Sequence, residues 1–181
     1  MSKLILGISD TSYQHKELVN ELCDKFDMVY VDIVDDLFET YVVDFQESMI
    51  KSSLFKFHRK IISMFKDVIN DNDRVIFSRT PMDSLCQIIL QESRKKFHYQ
   101  DVLDELKRFS KKVYSCSQLF TCNIIMEPFS YRESFNDAKY DLTLMGLMKN
   151  YNLPLIKVDK FHDIKMQADY IETELTIHTS G

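Results

Sequence analysis

Gly7, Ser9, Ser12 and Gln14 stand between an apolar run and an amphipathic one, which is where a chain takes hold of a phosphate. Lys3-Leu4-Ile5-Leu6-Gly7 reads as a short strand that stops at glycine, and Ile8 to Gln14 leads into a helix. The free N–H groups and positive dipole end of that helix can receive an anion without help from any side chain. A phosphate-binding loop with its full chemistry adds a second glycine, a lysine and a Ser or Thr at fixed spacing from the first glycine. Counted from Gly7, those slots hold Ser12, Tyr13 and Gln14. The lysine that reaches the outer phosphates and the hydroxyl that ligates Mg²⁺ are absent in this frame. Lys16 falls about one turn too late along the helix, and Lys3 precedes the strand. Gly7 either lets the backbone approach a phosphate or simply ends the strand.

Two more charged groups follow strand-like runs. Asp32 comes at the end of Asp27-Met28-Val29-Tyr30-Val31, with Asp35 and Asp36 behind it. It is the candidate general base for a hydroxyl acceptor, or one of a set of acids favoured at a helix N-terminus. Arg79 lies in Ser78-Arg79-Thr80-Pro81-Met82-Asp83 and can clamp an acceptor's phosphate or pair with Asp83 four residues on. His15, His58, His98, His162 and His178 are scattered, and Cys23, Cys86, Cys116 and Cys122 form no C-x-x-C pair. No metal site is assigned, and the cysteines read as reduced thiols.

The elements that must position these residues alternate. Strands are expected at residues 3–7, 27–33, 74–77, 119–126 and 155–158. Helices are expected over 15–26, then to about 70 with a break near 43–47, from about 81 to 96, 98–114, 134–150 and 162–175. Thr80 or Ser78 caps the helix that Pro81 opens. Short apolar strands separated by helices give an open α/β sheet of parallel order, with ligands beyond the carboxyl ends of the strands.

The bulk numbers narrow the classes. The chain has 181 residues, enough for one domain over 1–181 with a substantial core. A net charge of −5 argues against a general nucleic-acid binder, though a local basic patch is allowed. No run of about 18 apolar residues suggests a membrane span, and no signal peptide is visible. Three glycines and three prolines leave few tight turns and favour helix. Phe55, Phe57, Ile61, Ile62, Met64 and Phe65 alternate with basic residues and outnumber one buried stripe. Such a helix suits a homodimer or another protein partner.

The order of elements resembles that of P-loop nucleoside and nucleotide kinases, including small kinase-like proteins of bacteriophages. Val75-Ile76-Phe77-Ser78-Arg79-Thr80-Pro81-Met82-Asp83 resembles the strand-three signature of that family, with Ser78 in place of an acid. Met126-Glu127-Pro128 through Lys139 and Tyr140-Asp141, then a helix into Leu153-Pro154-Leu155-Ile156-Lys157-Val158, resembles the fourth strand, lid and fifth strand. The resemblance implies a three-layer α/β/α fold with a mainly parallel five-stranded sheet of spatial order 2-3-1-4-5. It implies Arg132 as a lid cation, beside Lys139, with Asn136 to Ala138 where a lid arginine belongs. If the chain is active, it implies ATP and Mg²⁺ as ligands and Asp32 and Arg79 as catalytic groups.

Three departures in separate places remove most of the positive field that phosphoryl transfer needs. The reading is therefore a catalytically degenerate, virus-encoded kinase-like protein of the host cytoplasm, serving as a binding, structural or regulatory subunit with weak nucleotide binding. The alternative is an active nucleoside or nucleoside-monophosphate kinase with an unorthodox loop, and a third is an unrelated doubly wound protein.

Overall fold

The computed structural model describes residues 3–9, 16–33, 51–92, 99–127, 135–159 and 162–179. Its elements run β1 (Leu4–Ser9), α1 (Lys16–Phe26), β2 (Val29–Val31), α2 (Lys51–Asp71), β3 (Arg74–Phe77), α3 (Pro81–Glu92), α4 (Tyr99–Ser117), β4 (Cys122–Glu127), α5 (Phe135–Asn150), β5 (Leu155–Asp159) and α6 (Ile164–Thr179). The five strands form one sheet in the order β2-β3-β1-β4-β5. Every neighbouring pair is parallel. The expected order and direction are thus both present, with β1 in the middle.

Side-chain alternation along the strands divides the interior in two. Ile5, Val75, Phe77 and Ile125 face a large core shared with α2, α3, α4 and α5. Leu6, Ile8, Ile76, Ile124, Ile156 and Val158 face a second core shared with α1 and α6. Helices therefore cover both faces, as parallel strands with short apolar sequences require.

A glycine-poor chain still has to turn. Asp27 and Asn152 take positive φ values of 50° and 49° just past α1 and α5. The Met28 N–H donates to Cys23 O and the Leu153 N–H to Met148 O, closing both helix ends. Asp and Asn tolerate the left-handed conformation better than most residues, so they stand in for glycine here.

Several boundaries differ from the sequence expectation. β1 runs two residues past Gly7, to Ser9. β4 begins at Cys122, because Leu119 and Phe120 still turn off α4 through N–H bonds to Cys116 O and Ser117 O. The apolar surplus expected on α2 is also absent. Phe55, Ile61, Ile62 and Phe65 are buried in the first core, and Phe57 and Met64 pack against it. The edge-on contact of Phe55 with Phe109, centroids 5.8 Å apart, shows why: α4 covers that side of the helix. Much of the apolar surface expected there is taken up by the chain's own core, with Phe57 and Met64 left partly exposed.

Candidate functional site

The carboxyl ends of β1, β2 and β3 meet the N-terminus of α3, and the polar side chains cluster there. Thr80 is the residue before Pro81, and its backbone N–H donates to Asp83 Oδ2 at 2.7 Å. The Thr80 hydroxyl donates to the same oxygen at 2.7 Å. Asp83 thus closes the first turn of α3 by reaching back to the cap, as the acid of a capping box does. Of the two capping residues expected, Thr80 is the one used.

Asp83 does more than cap. Ser9 Oγ, at the end of β1, donates to Asp83 Oδ2 at 2.7 Å, and Tyr140 Oη of α5 donates to Oδ1 at 2.6 Å. Arg79 Nη1 stands 3.7 Å from Oδ1, an ion pair beyond hydrogen-bond reach. The carboxylate is only 3% exposed, so its charge is sustained by these donors and by the guanidinium. Burial, and next the charge of Asp83, hold the Tyr140 phenol well above its ordinary pKa, which keeps it protonated as a donor. One acid thereby ties a strand end, a helix cap and a helix more than fifty residues further along the chain.

Asp32 lies just past β2. Ser78 Oγ donates to its Oδ1 at 2.8 Å and Tyr30 Oη to its Oδ2 at 3.2 Å. The Ser78 N–H also bonds Val31 O at 3.2 Å, which fixes the two strand ends together. Ser78, which stands where the kinase pattern has an acid, is therefore next to a carboxylate delivered from the neighbouring strand. That carboxylate can accept a proton from an alcohol brought to the sheet edge.

The remaining expected site residues divide into two groups. Gly7 is inside β1, paired with Phe77 on one side and Asn123 on the other. A side chain there would meet Thr80 Cγ2 at 2.7 Å and Phe120 Cε1 at 2.9 Å, so its missing Cβ makes room for the α3 cap. Ser9 points into the cap network. Ser12, Gln14 and Arg132, with Asp35 and Asp36, lie outside the described residues. Lys16 is exposed and is the first residue of α1. Glu127, at the end of β4, pairs with Lys157 at 3.0 Å. Among the described residues no three His, Cys, Asp or Glu side chains gather as a metal site would require.

Sequence reasoning reached the Arg79–Asp83 pairing and a cap at Thr80, and the Thr80-to-Asp83 spacing carries the signal for the acid that completes it. It missed Ser9–Asp83 and Tyr140–Asp83, which no local spacing encodes.

No family model matches the chain, and no curated protein matches its sequence. Solved structures do match in fold. The NadR protein in complex with NAD and AMP-PNP superposes with a TM-score of 0.69 at 12% identity, covering 97% of this chain and 50% of that one. The chain therefore spans about half the length of the NadR structure it matches. Deoxyadenosine kinase from M. mycoides with bound dCTP matches with a TM-score of 0.63 at 16% identity, over 98% of this chain and 100% of the other. The same kinase with bound dATP gives a TM-score of 0.63 at 16% identity. The fold is that of the P-loop nucleotide kinases.

Proposed function

We propose that this chain is a kinase-fold protein that works by binding and has lost efficient phosphoryl transfer, with weak nucleotide affinity at the β1–α1 edge. The observation that carries this reading is the state of the two groups best placed to meet an acceptor. Arg79 faces the buried Asp83, and Asp32 takes hydrogen bonds from Ser78 and Tyr30. Charge that a reaction would spend on a developing phosphoryl anion is here directed at the protein's own side chains. The resemblance to kinases of bacteriophages supports a viral source, and a regulatory or structural role in the cytoplasm follows from the same reading.

The test is direct. The purified chain is incubated with ATP, Mg²⁺ and a panel of nucleosides and nucleoside monophosphates, and ADP release is followed. We expect no turnover above that of Asp32→Asn, and no low-micromolar ATP binding by calorimetry. Turnover that Asp32→Asn abolishes would overturn the reading.

One observation favours the alternative, an active nucleoside or nucleotide kinase. Because β1 includes Ser9, the loop can be counted from Asp10 in the sequence, and the interval from there to Lys16 equals that from the first glycine to the lysine of a phosphate-binding loop. In this frame Lys16 supplies the missing cation, while Glu17 replaces the Mg²⁺-ligating hydroxyl. Lys16→Ala then separates the readings: a loss of ATP affinity of tenfold or more supports the active frame, and no change supports the binding protein.

A further inference from the structure

Charge is unevenly spread between the two helical layers of this molecule. On α4 the buried positions Phe109, Val113 and Cys116 set the inward side. The outward side carries Lys107, Arg108, Lys111 and Lys112, all exposed. Tyr114 at 39% exposure and Leu119 at 43% flank this basic ridge, and the Tyr114 ring lies 5.3 Å from that of Tyr151. Across the sheet, α1 buries Leu18, Val19 and Leu22 and turns Glu17, Asn20 and Asp24 outward. Beside it, α6 exposes Met166, Tyr170 and Ile177 at 53%, 45% and 61%. Lys25 of α1 bonds Asp169 and Glu172 of α6, so the two helices form one continuous acidic and apolar surface. Among the described residues, none of the four α4 cations, nor Glu17 or Asp24, takes part in an ion pair.

A chain with a net charge of −5 repels its own copies on average. Here four cations cluster on the outward side of α4, one turn beyond Asp104, and the α1–α6 face, which also carries Lys16, Lys25 and Lys165, is acidic on balance. Each face also offers large apolar side chains, which give a contact substance once charge has oriented it. We infer that the α4 face of one copy docks on the α1–α6 face of a second copy. The two faces lie on opposite sides of the sheet, so the contact is head-to-tail, and it propagates or closes into a ring rather than stopping at a symmetric dimer. This surface does not involve the strand ends of the candidate site and does not depend on whether the chain transfers a phosphoryl group.

The experiment is sedimentation over a range of concentration and salt. At about 0.01 M salt, where charges act over about 30 Å, the mean mass rises with concentration; at about 1 M, where they act over about 3 Å, it falls toward that of the monomer. Arg108→Glu/Lys111→Glu/Lys112→Glu removes the basic face, and Glu17→Lys/Asp24→Lys removes the acidic one. Each variant alone stays monomeric at low salt. Mixed in equal amounts they associate again, because each retains the face the other lost and the two reversed faces are themselves complementary. Circular dichroism confirms that both variants fold, and Lys111→Ala/Lys112→Ala gives a weakened assembly should the triple reversal not fold. A wild-type chain that is monomeric at every concentration in low salt overturns the inference. So does self-association that both variants retain. So does a wild-type chain whose α4 cations bind an oligothymidine strand while self-association is indifferent to their reversal, an outcome that assigns the basic face to nucleic acid.

Discussion

The two helical layers of this protein are built from different residues. Between the sheet and α2–α5 lies an aromatic core, where Phe65 meets Phe77 and Phe120 edge-on at 4.9 and 5.6 Å. It also holds His58, Cys86 and Cys116. Between the sheet and α1 with α6 the core is aliphatic: Leu6, Ile8, Leu18, Leu22, Ile171 and their neighbours. The ties to Asp83 belong to the first side, because Ser9 points the same way along β1 as Ile5, whereas Tyr30, which bonds Asp32, packs against the second core. The second layer supplies support and an exposed surface. A parallel sheet can thus give one layer the buried acid that ties three elements and the other a mainly aliphatic packing.

The largest expected difference between the layers comes from deleting a ring. Phe65→Ala removes a fully buried side chain against which Phe77 and Phe120 pack, at a cost of about 3–5 kcal/mol. Ile171→Val in the other layer trims one methyl group and costs about 1 kcal/mol. Urea unfolding of the two variants checks the ranking. A cost for Phe65→Ala no larger than that for Ile171→Val would show that the aromatic layer collapses into the gap and is not the stiffer one.

Acid should find the same asymmetry. His58 on α2 is 1% exposed, lies between the rings of Phe57 and Phe109, and has an Nδ1 with no hydrogen-bond partner. Burial pushes its pKa down from 6.5 to about 4. In the unfolded chain it takes up a proton near pH 6.5, while in the folded chain it does so only near pH 4. Stability due to this group is therefore whole above pH 6.5 and declines as the pH falls toward 4, by about 3 kcal/mol in all. His58→Phe should flatten that slope relative to wild type in unfolding curves at pH 7, 6, 5 and 4. Parallel curves for the two proteins would place the imidazole in a wetter setting. The aliphatic layer has no such buried base among its described residues.

How much of this was readable from the sequence depends on which contacts are local. The parallel sheet and the cap at Thr80 follow from short-range pattern, and the strand order from the resemblance in the order of elements. The length of β1 does not. A glycine at position 7 punctuates the run as a strand end would, yet its real cause is the approach of Thr80 and Phe120 from distant parts of the chain. The same limit hid the Tyr140 bond to Asp83. It also hid the burial of Phe55, which only the docked α4 shows to lie against Phe109.

Gly7 offers the next test of the first layer. Gly7→Ala would put a methyl group 2.7 Å from Thr80 Cγ2, 2.9 Å from the Phe120 ring and 3.2 Å from the Arg79 carbonyl oxygen. Thr80 is tied to Asp83 and the carbonyl is backbone, so neither can yield freely. We expect a loss of about 1–3 kcal/mol in urea unfolding. A neutral result would mean that the α3 cap can slide outward, and that the Ser9–Asp83–Tyr140 ties are softer than their lengths suggest.

The smallest effect should come from the other internal glycine, and it should have the opposite sign. Gly146 lies within α5, exposed, and a Cβ built there meets nothing within 4 Å. Alanine at this position lowers the freedom of the unfolded chain and suits the helix better, so Gly146→Ala should stabilise by about 0.5–1 kcal/mol. One turn earlier on the same helix, Leu142 is 68% exposed. If another molecule covered this stretch closely, a methyl group at residue 146 would obstruct it. Unfolding curves for the variant should therefore be compared at low and high protein concentration. A gain that is the same at both means that this side of α5 faces water. A gain that vanishes as concentration rises would move the self-contact from the ridge of α4 to the side of α5.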